Sequence, residues 1–170
     1  MHQFEDQISE LMNRLLTDYE GGRTIDEIRT FDLPDNDVIE EILRSLRRII
    51  FPGYFRNKSF KVYTVRNQIS MLLEDVIYRL TKQIAIVLRY DDQFAHASEE
   101  EVRIRAEELT FAFLRRIPKI RAYIETDVQA AYEGDPAAYN KTEIIYSYPG
   151  LYAIFVNRIA HELFLLGARL

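Results

Sequence analysis

Residues that make turns are scarce in this chain, and that scarcity restricts its possible folds more than any other feature. Six glycines and five prolines serve 170 residues, where average usage of about 7% glycine and 5% proline would supply nearly twice as many. Folds that need a glycine at every corner or phosphate loop are therefore disfavoured, among them Rossmann units, β-solenoids and tight-hairpin barrels. Few turns in a long chain mean long helices. With 48% apolar residues the composition is globular rather than disordered. The expectation is an all-α fold: a single domain of about seven helices over residues 1–170, without a β-sheet.

Apolar periodicity places the helices. Phe4, Ile8, Leu11, Met12, Leu15, Leu16 and Tyr19 recur every three or four residues and form one stripe, ended by Gly21-Gly22. Thr24 and Glu27 have the spacing of a small capping box. A second helix is predicted from Asp35 to Ile50, and a third from Tyr63 to Arg89 forms a spine of roughly 40 Å. Ser98 and Glu101 box the start of a fourth, with Val102, Ala106, Leu109, Phe113 and Leu114 inward and Arg115-Arg116 in its last turn. Pro118 opens a fifth, whose stripe is Ile120, Tyr123, Ile124, Val128 and Ala131. Asn140 caps a short helix from Lys141 to Ser147. Tyr148-Pro149-Gly150 breaks it before a last helix carrying Leu151, Ile154, Phe155, Ile159, Leu163 and Leu166.

Charge and chemistry remove several function classes. Twenty-two basic against 27 acidic side chains leave a net charge of -5, the wrong sign for gripping nucleic acid. With no cysteine there is no disulfide frame, thiolate metal site or thiol nucleophile. The N-terminus lacks a signal-peptide layout. The longest uncharged run, Ile144 to Asn157, is too short to span a bilayer. A cytoplasmic location without membrane attachment is expected. Glycine-rich phosphate loops are missing. His161-Glu162 begins a zinc-protease pattern that fails at Leu165, and the Glu-x-x-His pairs of di-metal bundles are absent. Asp32, Asp35 and Asp37 lack the loop glycine and distant glutamate of a calcium site. No metal or bound cofactor is expected.

The remaining candidates have plain explanations beside functional ones. Arg115, Arg116, Lys119 and Arg121 read as a solvated charged face at a helix end rather than a phosphate grip. The 11 tyrosines read as core packing with a polar tip. In Gly134-Asp135-Pro136 the glycine permits an unusual backbone angle and the proline pushes Asp135 towards an extended one. Local chemistry makes Asp135 the cap of a helix begun by Pro136. The competing role is a carboxylate on a stiff corner, open to a substrate ammonium group.

Four motifs then occur in order: Gly134-Asp135-Pro136-Ala137-Ala138, Tyr148-Pro149-Gly150 with Ala153-Ile154, Arg158-Ile159-Ala160-His161-Glu162-Leu163, and Leu166-Gly167. Together they resemble the end of the N-terminal helical domain of bacterial serine O-acetyltransferases. The Phe51-Pro52-Gly53-Tyr54-Phe55 loop is similar to that of the branch with a long N-terminus. Asn157 stands where the family usually has tyrosine. The resemblance implies transfer of an acetyl group from acetyl-CoA, a co-substrate of the whole enzyme, to the hydroxyl of L-serine on the route to cysteine. It also implies that the catalytic histidine and its aspartate lie in a left-handed β-helix of hexapeptide repeats, expected after Leu170, so no catalytic residue is expected in residues 1–170. Asp135 matches the aspartate that binds L-serine or the inhibitor L-cysteine, and Pro136 shapes the same corner. Arg158 and His161 match family positions expected to be structural. The implied partners are further copies of the chain, as a trimer or a dimer of trimers, and O-acetylserine sulfhydrylase through a C-terminal tail. The rival reading is a stand-alone helical adaptor or oligomerisation module.

Overall fold

The computed structural model describes residues 2–23, 33–55 and 65–168, with side chains from residue 7 onward. Among them are seven α-helices, one 3-10 turn and no strand, as the shortage of turn residues predicts. The side chain of Phe4, the Thr24–Glu27 box, Asp32 and Tyr63 lie outside the described residues. Contacts divide the chain into two units, Met1–Leu33 and Pro34–Leu170.

The first unit holds α1 (His2–Tyr19). Gly22 follows at φ +69°, the left-handed region expected of a helix stop. Ile8, Leu11, Met12, Leu15, Leu16 and Tyr19 are all exposed.

In the second unit, α2 (Asn36–Ile50) begins where Asp35 accepts bonds from the N–H groups of Asp37 and Val38. The Asp35 amide in turn donates to Gln83 Oε1 at 2.9 Å, fixing that end on α3 (Val65–Leu88). Helix α3 is the spine, flanked by α2 and by α4 (Glu99–Leu114). Val76, Leu80, Ile84 and Leu88 are its buried apolar side chains, with Gln83 buried beside them. Thr81 donates to Thr110 across the α3–α4 seam at 3.0 Å. Arg79 bridges Asp75 and Glu41, tying α3 to α2. The Ser98–Glu101 box is formed in both directions, with Ser98 accepting from the Glu101 amide and Glu101 accepting from the Ser98 amide.

Arg115 and Arg116 fall just beyond α4 rather than in its last turn. Pro118 lies in the first turn of α5 (Ile117–Gly134). Helix α5 packs on α6 (Lys141–Ser147) and on α7 (Pro149–Leu165). Among the described residues of this unit, 23 buried apolar side chains form one core running from Ile42 to Ala168.

The tyrosine expectation holds for Tyr54 and Tyr148, which pack partly buried against the core, and is corrected for the other eight described tyrosines, which are exposed. None of the ten described tyrosines is buried, and Tyr123, assigned to the inner stripe of α5, is exposed. A rim position suits a phenol, whose ring packs while its hydroxyl reaches a polar partner or solvent. The Tyr146 hydroxyl, for instance, donates to the Tyr54 carbonyl at 2.7 Å.

Candidate functional site

Asp135 sits where α5 gives way to a turn. Its backbone is extended (φ -116°, ψ 103°), as the following proline dictates. No helix begins at Pro136, so the expected cap role is wrong. The Asp135 carbonyl accepts from the Ala138 amide at 3.0 Å and Oδ1 accepts from the Ala137 amide at 2.9 Å. That is an Asx turn, a local bond that competes with helix nucleation. The next helix is capped by Asn140, which accepts from the Glu143 amide at 2.9 Å. Gly134 is also ordinary: it ends α5 and is not among the glycines with positive φ.

The second oxygen of Asp135 is held from further along the chain. The Tyr148 hydroxyl donates to Oδ2 at 2.7 Å. Tyr148 stands between α6 and α7 with an extended backbone (φ -84°, ψ 110°), which Pro149 again enforces. Its amide donates to the Ile144 carbonyl at 3.2 Å, and its carbonyl accepts from Tyr152 at 3.4 Å. The two bonds, the one from Tyr148 foremost, hold the Asp135 carboxyl below the usual aspartate range. The same contact pushes the Tyr148 phenol up to about 12. Among the described residues Asp135 makes no ion pair. The result is an oriented, half-exposed anion with spare lone pairs. Pro136 is exposed beside it.

A second group of charges lies between α5 and α7. Glu162 is buried, and its two oxygens accept from Arg116 at 2.7 Å and Lys119 at 2.9 Å. These bonds, the one from Lys119 foremost, hold Glu162 below the usual glutamate range. Two members of the basic cluster therefore pair with a buried carboxylate and are not simply a solvated face. The sequence carried a signal: Glu162 stands in phase with the inward residues Leu151, Phe155 and Ile159. Arg158 grips Asp127 through two bonds of 3.0 and 2.8 Å. His161 is exposed and lines a shallow cleft of about 120 Å³ with Lys119, Ile120, Tyr123, Arg158 and Glu162. Among the described residues, His96 and His161 bond to no carboxylate and no cluster of metal-ligating side chains occurs. No described helix is long and apolar enough to cross a membrane.

The sequence and the fold have parallels among known proteins. A curated serine acetyltransferase of Synechococcus elongatus is 36% identical over 140 residues, covering 81% of this chain and 44% of its own length. Another from Mycobacterium tuberculosis is 50% identical over 44 residues, 26% of this chain and 19% of its own. Serine acetyltransferase 1 of Entamoeba histolytica, solved in complex with L-cysteine, shares the fold with a TM-score of 0.59 at 31% identity, over 75% of this chain and 41% of its own. The relatives that the chain matches in both sequence and fold are serine acetyltransferases. Isoform 3 from the same organism, in complex with cysteine, matches 99% of this chain and 52% of its own at 25% identity, with a TM-score of 0.57. The chain thus spans about half, or less, of the length of these serine acetyltransferases. No protein-family model matches it.

Proposed function

We propose that this chain is the helical part of an enzyme that transfers the acetyl group of acetyl-CoA to the hydroxyl of L-serine. In that reaction the serine oxygen attacks the thioester carbonyl, the coenzyme thiol departs, and a general base takes the hydroxyl proton. Asp135 is the chain's contact with the amino acid. The observation that carries this reading is the state of its carboxylate: ionised, oriented by two hydrogen bonds, and paired with no cation among the described residues. An α-ammonium group completes that arrangement with a charge-assisted bond. Pro136 limits the backbone of the corner and so its geometry. L-Cysteine carries the same ammonium group and binds there as a competitor, in keeping with the two relatives solved with it.

The described histidines offer no base backed by a carboxylate, so residues 1–170 alone are expected to be inactive. Incubating the chain with serine and acetyl-CoA and following free thiol tests this, and sustained turnover refutes it. In the full-length protein, Asp135→Ala is expected to raise the serine KM and weaken inhibition by cysteine. Unchanged kinetics on both counts reduce Asp135 to a turn residue. Self-association belongs to the same proposal, supported by the exposed apolar stripe of α1. Light scattering that finds only a monomer at high concentration counts against it.

A further inference from the structure

We infer that Tyr148 is a positioning residue for substrate: its hydroxyl orients the Asp135 carboxylate while leaving the negative charge unneutralised. The inference rests on the assignment of Asp135 to the substrate ammonium group. The decisive feature is the kind of donor. Lysine or arginine in this place would pair with Asp135 and compete with an incoming ammonium group, as Lys119 and Arg116 occupy Glu162. A phenol supplies one directed hydrogen bond and no charge. With its own ionisation pushed up to about 12, Tyr148 remains a donor throughout the neutral range.

The position of Tyr148 is secured independently of Asp135. Its backbone closes α6 and opens α7, and its side chain packs against the apolar core. The phenol therefore approaches from a point fixed by two helices, whereas the Ala137 amide approaches from within the turn itself. Between them the carboxylate loses its freedom to rotate. Preorganisation of this kind lowers the ordering cost of binding. The charged group that also acts on Tyr148 is Glu143, whose effect likewise keeps the phenol protonated. Glu143 Oε2 is itself engaged by the Tyr139 amide at 2.8 Å.

Tyr148→Phe removes the hydroxyl and keeps the ring, so the packing survives, and an unchanged far-UV circular dichroism spectrum verifies it. Carbon-detected NMR titration of the 170-residue chain is expected to show Asp135 titrating at higher pH in Tyr148→Phe than in the parent. In the full-length protein the same substitution is expected to raise the serine KM several-fold while kcat holds within about twofold. The rise is greater at acidic pH, because a larger share of Asp135 is then protonated. An Asp135 titration that does not move overturns the inference. So does a parental KM in Tyr148→Phe when Asp135→Asn raises it. A parental KM in Asp135→Asn overturns instead the assignment of Asp135 to substrate, and the two failures are thereby distinguished.

Discussion

Glu162 and Asp135 are both ionised carboxylates held by two donors, yet their surroundings give them opposite uses. Glu162 is 3% exposed and meets two cations. Asp135 is half-exposed and meets a phenol and an amide, neither of them charged. A buried anion must be neutralised where it stands, because removing it from water costs several kcal/mol (about 3–5 when a partner is lost). Glu162 is therefore fully committed, and it fastens α7 to the start of α5. At the rim Asp135 needs no resident cation, since water screens it, and among the described residues its charge is left unneutralised. Burial sets how much neutralisation a carboxylate requires, and the identity of its donors sets how much charge it retains.

The largest expected effect tests the buried side of this contrast. Replacing Arg116 and Lys119 together by alanine leaves Glu162 unpaired and is expected to destabilise the fold by about 3 kcal/mol in urea unfolding. A loss below about 1 kcal/mol means that water already reaches Glu162, and the contrast with Asp135 collapses. Next comes the exposed side. Asp135→Asn in the full-length protein is expected to raise the serine KM on the order of tenfold or more, with the unfolding midpoint close to that of the parent. A large drop in the midpoint without a kinetic change reverses the two roles.

Asp127 provides an intermediate case, since it is mostly buried while its partner Arg158 is 35% exposed. Asp127→Ala is expected to cost about 1 kcal/mol, less than the loss at Glu162 because the freed guanidinium reaches water. The smallest effect is one of pH. Glu162 is held below its ordinary range, so its contribution to stability is complete above the unfolded pKa of about 4.3. That contribution is lost as pH falls through the lower folded value. In Lys119→Ala the folded value moves back up, so the loss of stability between about pH 5 and pH 3 is smaller than in the parent. Equal losses in the two proteins, measured by urea unfolding across that range, separate Lys119 from the titration.

Much of the fold was legible because its causes are local. The Ser98–Glu101 box, the Asn140 cap and the stop at Gly22 each depend on residues within one turn of one another. The stripe from Val65 to Leu88 needed only its spacing, as few residues in it interrupt a helix. The tyrosines misled because ring size suggests burial while the hydroxyl selects the rim. The Asx turn at Asp135 was misread because a proline after aspartate starts a helix or a turn equally well by local rules. The charges around Glu162 were missed because Arg116 and Lys119 are 46 and 43 residues away from it.

By itself the sequence determined that the chain is helical, where most of its helices start and stop, and that Asp135 stands on an extended corner before Pro136. Those outcomes follow from backbone sterics, capping and periodicity, which act over a few residues. Tertiary structure decided which carboxylate is neutralised and which keeps its charge. Asp135 and Tyr148 are 13 residues apart and meet only because α6 intervenes and turns the chain back. Electrostatic partnership depends on distance in space and on exclusion of water, and neither is written in the spacing of residues along a chain.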